Sequence, residues 1–394
     1  MGAISGLVTT YNSNNYTGEL INLTPAETPL LNIAGRNPGQ VKDVEIEWQT
    51  TDLRANAQNV ALEGADAPTA AGRTRTSVTN VVEVHHSAVS VSYTKLAAVA
   101  QTAGIGSVGA TQPVQNESAF QIQAELTSMA RDVEWSFLHG VYQKPSDNLT
   151  PRKTRGLLSA ITTNLVNKGT DVTGITSATD TLTKTSHGVF SDGDKVVFTA
   201  LGTLAANVVE PWQVYYIVAS AANTFKVSAT SGGAAITLGT ATGIGITKLW
   251  STALTIDHLG EFAQGIWDNG GLRSGTRAFL VNSRQKRAVS KACADAYAKA
   301  TPVKGTIGGV SVTVVDTDFG EFAIVLHDLM PKDAIAAVTV DELQAVFLET
   351  PGKGYLFVEA LAKTGAADKA QLYGEVGLKY GAEKHHGLLR GLAF

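Results

Sequence analysis

The spacing of apolar and polar residues changes along the first hundred residues. Residues 1–40 are polar, rich in Asn and interrupted by three prolines, and they lack an amphipathic period, so we predict an extended arm. Val41–Gln49 and Ser77–Tyr93 alternate with a period of two, which is typical of half-buried strands. They predict a long hairpin with a flexible tip. Because a two-stranded ribbon is marginal in water, the hairpin needs a surface from its own domain or a neighbouring subunit.

A helical period follows the hairpin. Apolar residues recur at spacings of three and four between Glu117 and His139, Asn116 can cap the helix, and Gly140 can end it. At 1.5 Å per residue this helix would be about 35 Å long and could brace a sheet along its length. The apolar stripe consists of Ala119, Ile122, Leu126, Met129, Val133 and Phe137.

Residues 168–250 differ in composition from both flanks. They are rich in Thr, Gly and β-branched residues, with almost no helical period. HGVFSDGDKVVFTALGTL and WQVYYIVASAANTFKVSATSGGAAITL contain short alternating strands separated by turn residues, which predicts a compact antiparallel β unit. We interpret this block as a domain inserted into an exposed loop of another domain.

Helices and strands mix in the remainder of the chain. The pattern predicts helices over Ile256–Trp267 and Ser283–Ala300, separated by a strand over Ala278–Asn282. Strands then dominate, so the fold class is α+β with the β block as a separate all-β unit. The later predicted strands are Val310–Val315, Phe322–Leu326, Ile335–Val340, Leu343–Leu348, Tyr355–Ala360 and Gln371–Tyr380.

The composition and charge of the chain argue against several classes of protein. A chain of 394 residues exceeds what one core usually supports, so we expect two or three packed units. The formal net charge is −4, and charged residues of one sign do not occur in runs, which argues against a nucleic-acid or anionic-membrane surface. Cys293 is the only cysteine, which excludes an internal disulfide framework and fits a reducing cytosol. The first residues lack the pattern of a secretory signal, and no membrane span is expected.

The order of arm, hairpin, long helix and mixed remainder resembles the major capsid proteins of tailed bacteriophages, which have the Hong Kong 97-type fold. LINLTPAETPLLNIAGR at 20–36 is similar to the N-terminal arm of one such family. GVSVTVVDTDFGEFAIVLHDLMP at 309–331 and YLFVEALAKTGAADKAQLYGEVGLKYGAEKHHGLLRGL at 355–392 are similar to its closing strands. The resemblance implies a subunit that self-assembles into an icosahedral shell around double-stranded DNA, in the virion, after assembly in the host cytoplasm.

The resemblance also implies a domain order and partners. Copies of the chain would form hexamers and pentamers, with a portal and with DNA that is enclosed without sequence-specific binding. The short arm leaves no room for a scaffolding segment, so the resemblance implies a separate scaffolding protein or, as the alternative, assembly without a scaffold. The β block resembles a module of phage structural proteins that would project from the outer face, and a decoration protein as its partner stays open. The implied segments are an N-terminal arm 1–40, an extended loop 41–95, a peripheral domain 96–167 with spine helix 117–139, an inserted β domain 168–250, and an axial domain with the remaining peripheral strands 251–394.

Charged residues in the hairpin tip are candidate assembly contacts. They could form ion pairs with a neighbouring subunit, which we favour because the long hairpin needs a partner. The alternative is a solvated tip whose exposed pairs contribute about 0–1 kcal/mol each. The candidates are Arg54, Glu63, Asp66, Arg73 and Arg75.

An enzyme is the remote alternative. Ser92-Tyr93-Thr94-Lys95, Ser146-Asp147-Asn148 and Lys363-Thr364-Gly365 reproduce in order the short motifs of penicillin-binding serine acyl-enzymes, although each fixes only two or three letters. The pairs His85-His86 and His385-His386 suggest a metal, but neighbours on a strand point to opposite faces and no third ligand is spaced suitably. We therefore predict no catalytic, cofactor or metal site. A phage tail or decoration protein is the second structural alternative.

Overall fold

A computed structural model gives the fold of the chain. It describes residues 27–70, 72–98, 116–205, 208–211, 213–273, 275–297, 303–307, 310–362 and 365–393. Its helices are α1 Pro29–Ala34, α2 Tyr93–Ala98, α3 Glu117–His139, α4 Leu157–Ala160, α5 Ile256–Asp268 and α6 Ser283–Tyr297, with 3₁₀ turns at Val340–Glu342 and Glu383–His385. None of the described helices combines the length and apolarity needed to cross a membrane.

In the described part of the chain, twenty strands form two open sheets, one closed barrel and one hairpin. The first ten are β1 Gly39–Val41, β2 Glu45–Thr51, β3 Arg75–Val81, β4 Glu83–Ser92, β5 Leu165–Asn167, β6 Thr170–Ala178, β7 Thr181–Thr183, β8 Lys195–Ala200, β9 Val214–Val218 and β10 Thr224–Ser228. The others are β11 Ala241–Lys248, β12 Arg277–Val281, β13 Val303–Ile307, β14 Val310–Thr317, β15 Gly320–Leu326, β16 Ile335–Thr339, β17 Gln344–Leu348, β18 Leu356–Ala360, β19 Ala367–Lys379 and β20 Gly387–Arg390.

A seven-stranded sheet in the order β13-β14-β15-β12-β16-β20-β5 contains the main core. Its central strands are nearly continuous apolar runs, because helices cover both faces. Leu280 belongs to the core shared with α1 and α3, whereas Phe279 packs with α5 and α6 and stacks on Phe322 at 4.2 Å between ring centroids. The alternation of side chains along β12 therefore joins the two halves of the core.

A second sheet is built around the long strand β19. Its order is β1-β17-β19-β18, and β4 pairs with β19 over ten residues, from Ser92 opposite Ala367 to Glu83 opposite Val376. Helix α3 lies beside this sheet, where Ser87 donates a hydrogen bond to Glu125. The helix begins and ends as predicted: Asn116 Oδ1 accepts a hydrogen bond from Ala119 N at 3.1 Å, and Gly140 follows the last turn.

Residues 170–248 form a closed antiparallel barrel in the order β10-β7-β6-β11-β8-β9. Its interior is filled by apolar side chains, among them Ile175, Phe198 and Phe225, all 0% exposed. The first and last strands pair with each other, and Thr170 lies opposite Lys248. The chain therefore leaves the body and returns to it at neighbouring positions.

Two expectations need correction. The described part of the arm is not extended throughout: α1 is buried at Leu30 and Ile33, and only residues 1–26 of the arm lie outside the described residues. The hairpin is also shorter than predicted, since β2 pairs with β3 alone and β4 belongs to the sheet around β19. Four consecutive buried residues, Asn80 to Glu83, interrupt the alternation where the chain passes from one sheet to the other.

The later elements agree with the sequence pattern more closely. Helices α5 and α6 and strands β12, β14, β15, β16, β17 and β18 begin within two residues of their predicted starts. Strand β19 begins four residues before Gln371, and residues 298–300 of the predicted second helix lie outside the described residues. Both sheets contain short strands that the pattern missed, namely β1, β5, β13 and β20.

Candidate assembly interface

The hairpin of β2 and β3 ends in a tip with no cover from the rest of the chain. Seven residue pairs join the strands, from Glu45 opposite Val81 to Thr51 opposite Arg75. Every described residue between 52 and 74 is exposed. Leu53, Val60 and Leu62 are 86%, 76% and 85% exposed. The exposure of three large apolar side chains in one irregular segment makes the tip a candidate contact surface.

The predicted charged contacts all lie on this hairpin, but the single chain does not bring them together. Arg54 donates a weak bond of 3.5 Å to the carbonyl of its neighbour Ala55. Within the described residues, no ion pair joins any of the five predicted side chains. Their charges therefore face solvent around the apolar residues of the tip. The five are Arg54, Glu63, Asp66, Arg73 and Arg75.

The base of the hairpin, in contrast, is fixed to the body. Trp48 Nε1 donates a hydrogen bond to Gly381 O at 2.7 Å, and the Trp48 ring meets the edge of Tyr380 at 5.0 Å and 88°. Asn80 is 0% exposed, and its Nδ2 donates to Leu378 O at 2.7 Å while its Oδ1 accepts from Arg155 N at 2.7 Å. These anchors could not be predicted from the sequence, because a single Trp or Asn in an alternating strand does not indicate a distant partner.

Glu83 extends this anchor at the start of β4. Its carboxylate lies 2.9 Å from His85 Nε2 and accepts a hydrogen bond from Thr154 N at 3.0 Å. Burial alone would raise the pKa of Glu83, but hydrogen bonds from His85, Ser136 and Thr154 outweigh burial and lower that pKa below its usual value. The hairpin base thus holds a paired, ionised carboxylate.

The barrel surface differs from the hairpin and the body. Among the described residues of the barrel, no large apolar side chain is exposed. Ion pairs lie on it instead, including Lys226 with Asp180 at 2.7 Å and Lys248 with Asp194 at 2.6 Å. On the body, exposed apolar residues include Trp135 at 53%, Val141 at 68% and Leu149 at 91%. The large exposed apolar side chains of the described residues therefore lie on the hairpin and the body.

A cavity of about 710 Å³ is lined by residues of both the barrel and the body. Trp135 and His139 at the end of α3, Leu329 after β15, and Pro211 and Gln213 of the barrel are among its lining residues. Burial lowers the pKa of His139, although a hydrogen bond to Leu329 O at 2.8 Å partly offsets this effect.

The serine of the first acyl-enzyme motif has a local structural role. Ser92 ends β4, and its Oγ accepts a hydrogen bond from Lys95 N at 3.3 Å at the start of α2. The Lys95 ammonium lies 3.7 Å from Glu117. The serine therefore caps a short helix, and the lysine faces a carboxylate.

The second acyl-enzyme motif lies far from the first. Ser146-Asp147-Asn148 is in an exposed loop, and Arg152 of this loop pairs with Glu375 at 2.9 Å. Glu375 lies opposite Val84, at the other end of β4 from Ser92. Val84 and Ser92 are eight residues apart on the strand, roughly 26 Å, so the loop of the second motif is attached at the opposite end of β4 from the first motif. Lys363 and Thr364 of the third motif lie outside the described residues.

The two histidines of each pair have different partners, and only His85 and His86 lie on a strand. His85 faces Glu83, whereas His86 is exposed and contacts Gln371 at 3.2 Å. His385 lies 2.5 Å from Glu342, and His386 is fully buried. The described residues contain no group of three or more His, Cys, Asp or Glu side chains that could hold a metal ion.

Comparisons with known proteins agree over the whole chain. Residues 3–393 match the family model described as SU10 major capsid protein. The fold is similar to the capsid asymmetric unit of cyanophage A-1(L), with 12% identity, 99% of each chain covered and a TM-score of 0.54. It is also similar to the capsid of the native GTA particle, with 13% identity, 99% of this chain and 100% of that chain covered, and a TM-score of 0.51. Because the sequence identities are this low, the two similarities are evidence for the fold alone. No curated protein sequence matches the chain.

Proposed function

The chain belongs to the SU10 major capsid protein family and is a shell-forming structural protein of the virion, and from this premise we propose how its copies assemble. We propose that they close an icosahedral shell of hexamers and pentamers around double-stranded DNA. The hairpin tip of each copy lies on a neighbouring copy. The family match favours this role over the alternatives of a tail or decoration protein.

The exposed hairpin tip is the observation that carries this proposal. Leu53, Val60 and Leu62 are more than 75% exposed in the single chain, and β2 and β3 extend as a two-stranded ribbon. A ribbon of this kind gains stability when a second surface covers it. Obligate interfaces of this type bury on the order of 2,000–5,000 Å² of mainly apolar area, so most of the stability belongs to the assembly. The charged residues Arg54, Glu63, Asp66, Arg73 and Arg75 surround the apolar ones and set which neighbouring surface fits.

The finer assignment of segments follows the Hong Kong 97-type arrangement. Residues 1–40 are the arm, 41–95 the extended loop, 96–167 the peripheral domain with α3 as its spine helix, and 251–394 the axial domain with the remaining strands. Residues 168–250 are an inserted domain on the outer face. The solvated barrel surface supports this placement, because a module buried between subunits would present apolar side chains.

Other components complete the proposal. A separate scaffolding protein and a portal take part in assembly in the host cytoplasm. The packaged DNA is enclosed without sequence-specific contacts, which agrees with a formal net charge of only −4. A decoration protein on the barrel is a further partner of this proposal.

Electron microscopy of the purified full-length chain tests the assembly mechanism. We expect closed shells, or rings and tubes of hexamers and pentamers, from the wild type. The double variant L53S/L62S should remain folded but lose assembly, because both side chains are exposed in the single chain. Two serine substitutions at exposed barrel threonines, Thr173 and Thr176, are the matched control and should leave assembly unchanged. Normal shells from L53S/L62S would refute the proposed role of the tip.

A further inference from the structure

Asp333 is a buried carboxyl group beside the barrel. The residue precedes β16 and is 1% exposed. Its Oδ2 accepts a hydrogen bond from Gly391 N at 3.1 Å, and its backbone carbonyl accepts one from Leu392 N at 2.9 Å. Asp333 thus binds residues 390–393, which we call the C-terminal clasp.

The C-terminal clasp holds both connections between the barrel and the body. Arg390 O accepts a hydrogen bond from Lys168 N at 3.0 Å, just before the first barrel strand. Gly391 O accepts one from Trp250 N at 2.7 Å, just after the last barrel strand. Arg390 also donates to Asp171 Oδ2 of β6 at 2.6 Å. A change at Asp333 therefore acts on the segment that fixes the barrel.

Two buried acceptors beside the clasp lack a donor among the described residues. One is Asp333 Oδ1, and the other is the side-chain oxygen Oε1 of Gln285 on α6. Gln285 is 0% exposed, and its Nε2 donates to Lys332 O at 2.9 Å and to Ala393 O at 3.2 Å. Arg390 Nε of the clasp is a buried donor that also lacks a partner among the described residues. Protonated Asp333 would carry an O–H group and no charge, so it would add a donor beside these two acceptors.

The charged groups that face Asp333 do not neutralise it fully. Arg390 of β20 attracts the carboxylate, whereas Asp171 of β6 repels it and itself takes up the Arg390 guanidinium. From α6, Gln285 is neutral, and Arg284 lies near Lys332. Burial, the largest effect, raises the pKa of Asp333 to about 6, against the opposing hydrogen bond from Gly391 and the charge of Arg390.

We propose that the protonation of Asp333 controls how firmly the C-terminal clasp holds the barrel to the body. When the clasp is closed, Asp333 is buried and binds a proton tightly. When the clasp opens, Asp333 reaches water and its carboxyl group ionises more readily. Opening is therefore coupled to proton release, so the clasp is tight in mild acid and looser at neutral pH.

Hydrogen exchange of the full-length chain tests this coupling. Peptides that contain Lys168, Trp250 and Gly391 are followed at pH 5 and pH 7.5, with correction for intrinsic exchange. The pKa of Asp333 is 3.8 in the open state and about 6 in the closed state. Proton linkage therefore predicts roughly tenfold less protection from hydrogen exchange at pH 7.5 than at pH 5. Equal protection at both pH values would overturn the proposal.

Substitution separates Asp333 from other titrating groups. Asp333→Asn should show equal protection of these peptides at both pH values. Asp268→Asn, at an exposed position that ends α5, should retain the tenfold change. If Asp333→Asn retains it as well, the proposal is wrong. If Asp333→Asn does not fold, a pH series on the wild type decides: an inflection near pH 6 supports the proposal, and its absence refutes it.

Discussion

The Glu134 carboxylate and the His327 imidazole lie 2.7 Å apart, with 1% of each side chain exposed. His327 Nδ1 accepts a hydrogen bond from Leu329 N at 3.1 Å, so its Nε2 carries the hydrogen that faces Glu134. The two oxygens of Glu134 also accept from Leu30 N at 2.7 Å and Leu31 N at 2.6 Å. One carboxylate therefore joins α1, α3 and the loop after β15.

Glu134→Gln should destabilise the chain by about 3 kcal/mol, because its amide nitrogen would face a buried N–H donor that a carboxylate oxygen now accepts from, and the negative charge beside His327 would be lost. Urea unfolding of the purified chain measures this change. Exchange of the Leu30 and Leu31 amides should rise with it, since α1 loses its anchor. Asp132→Asn on the exposed face of the same helix is the control and should change stability by less than about 0.5 kcal/mol. An equal effect of both substitutions would contradict the assigned role.

Asn80→Asp tests the anchor of the hairpin base. The substitution keeps the shape but directs a carboxylate at the carbonyl oxygens of Leu378 and Arg155, which now accept from Nδ2. We expect a loss of about 3 kcal/mol in unfolding free energy at pH 7. Asn148→Asp, in an exposed loop, makes the same chemical change and should be nearly neutral. A small effect at Asn80 would show that the hairpin base is not held by this side chain.

Gly391→Ala tests the close contact of the C-terminal clasp with the barrel connection. Gly391 has φ +76°, and a Cβ there would lie 2.4 Å from Gly169 N. Gly239→Ala is a matched control, since Gly239 has φ +78° with no atom within 4 Å. The control should cost about 1 kcal/mol from backbone strain alone, and Gly391→Ala should cost at least about 2 kcal/mol more. Thermal unfolding of both variants measures the difference, and equal melting temperatures would refute the steric argument.

His386 predicts a pH dependence of stability. Burial is the main cause that lowers the pKa of His386, and its Nε2 donates to Tyr380 O at 2.7 Å. Because the folded-state pKa lies below the unfolded value of 6.5, the unfolded chain binds more protons below pH 6.5. The contribution of neutral His386 is complete above pH 6.5 and is lost as pH falls toward the folded-state pKa.

The free-energy cost of His386→Asn should therefore shrink between pH 7.5 and pH 5 in urea unfolding. The variant lacks the buried ring at every pH. Only the wild type loses stability as the pH falls and His386 takes up a proton. His86→Asn removes an exposed ring and controls for the loss of a histidine. A cost at position 386 that stays constant across this range would contradict the assignment.

Local patterns in the sequence predict local structure well in this chain. The apolar stripe, Asn116 and Gly140 predict α3 to the residue, because each of these signals acts within one or two helical turns. The extent of the hairpin is predicted wrongly, because Asn80 and Glu83 are polar residues whose burial depends on distant partners at Leu378 and Thr154. The alternating pattern cannot show these partners.

The candidate contacts show the same limit. The sequence alone places Arg54 and Glu63 on an exposed tip, but the partners that we propose for them belong to another copy of the chain, which a single sequence cannot show. Asp333 gives no signal in the sequence, because its pKa is raised by burial among residues from β6, β20 and α6. The strand pattern of residues 168–250 likewise cannot show that β6 pairs with β11 and closes a barrel.

The pairing of Thr170 with Lys248 places the two ends of the barrel in adjacent strands, which lie about 4.8 Å apart. The body therefore spans the same short gap whatever number of residues lies between these ends. A gain, loss or exchange of genetic sequence within this interval leaves the path of the body chain unchanged. The barrel can then change without changing the path of the body, to which it is tied by the hydrogen bonds of residues 390–393 and by the contact of Lys332 with Gln213.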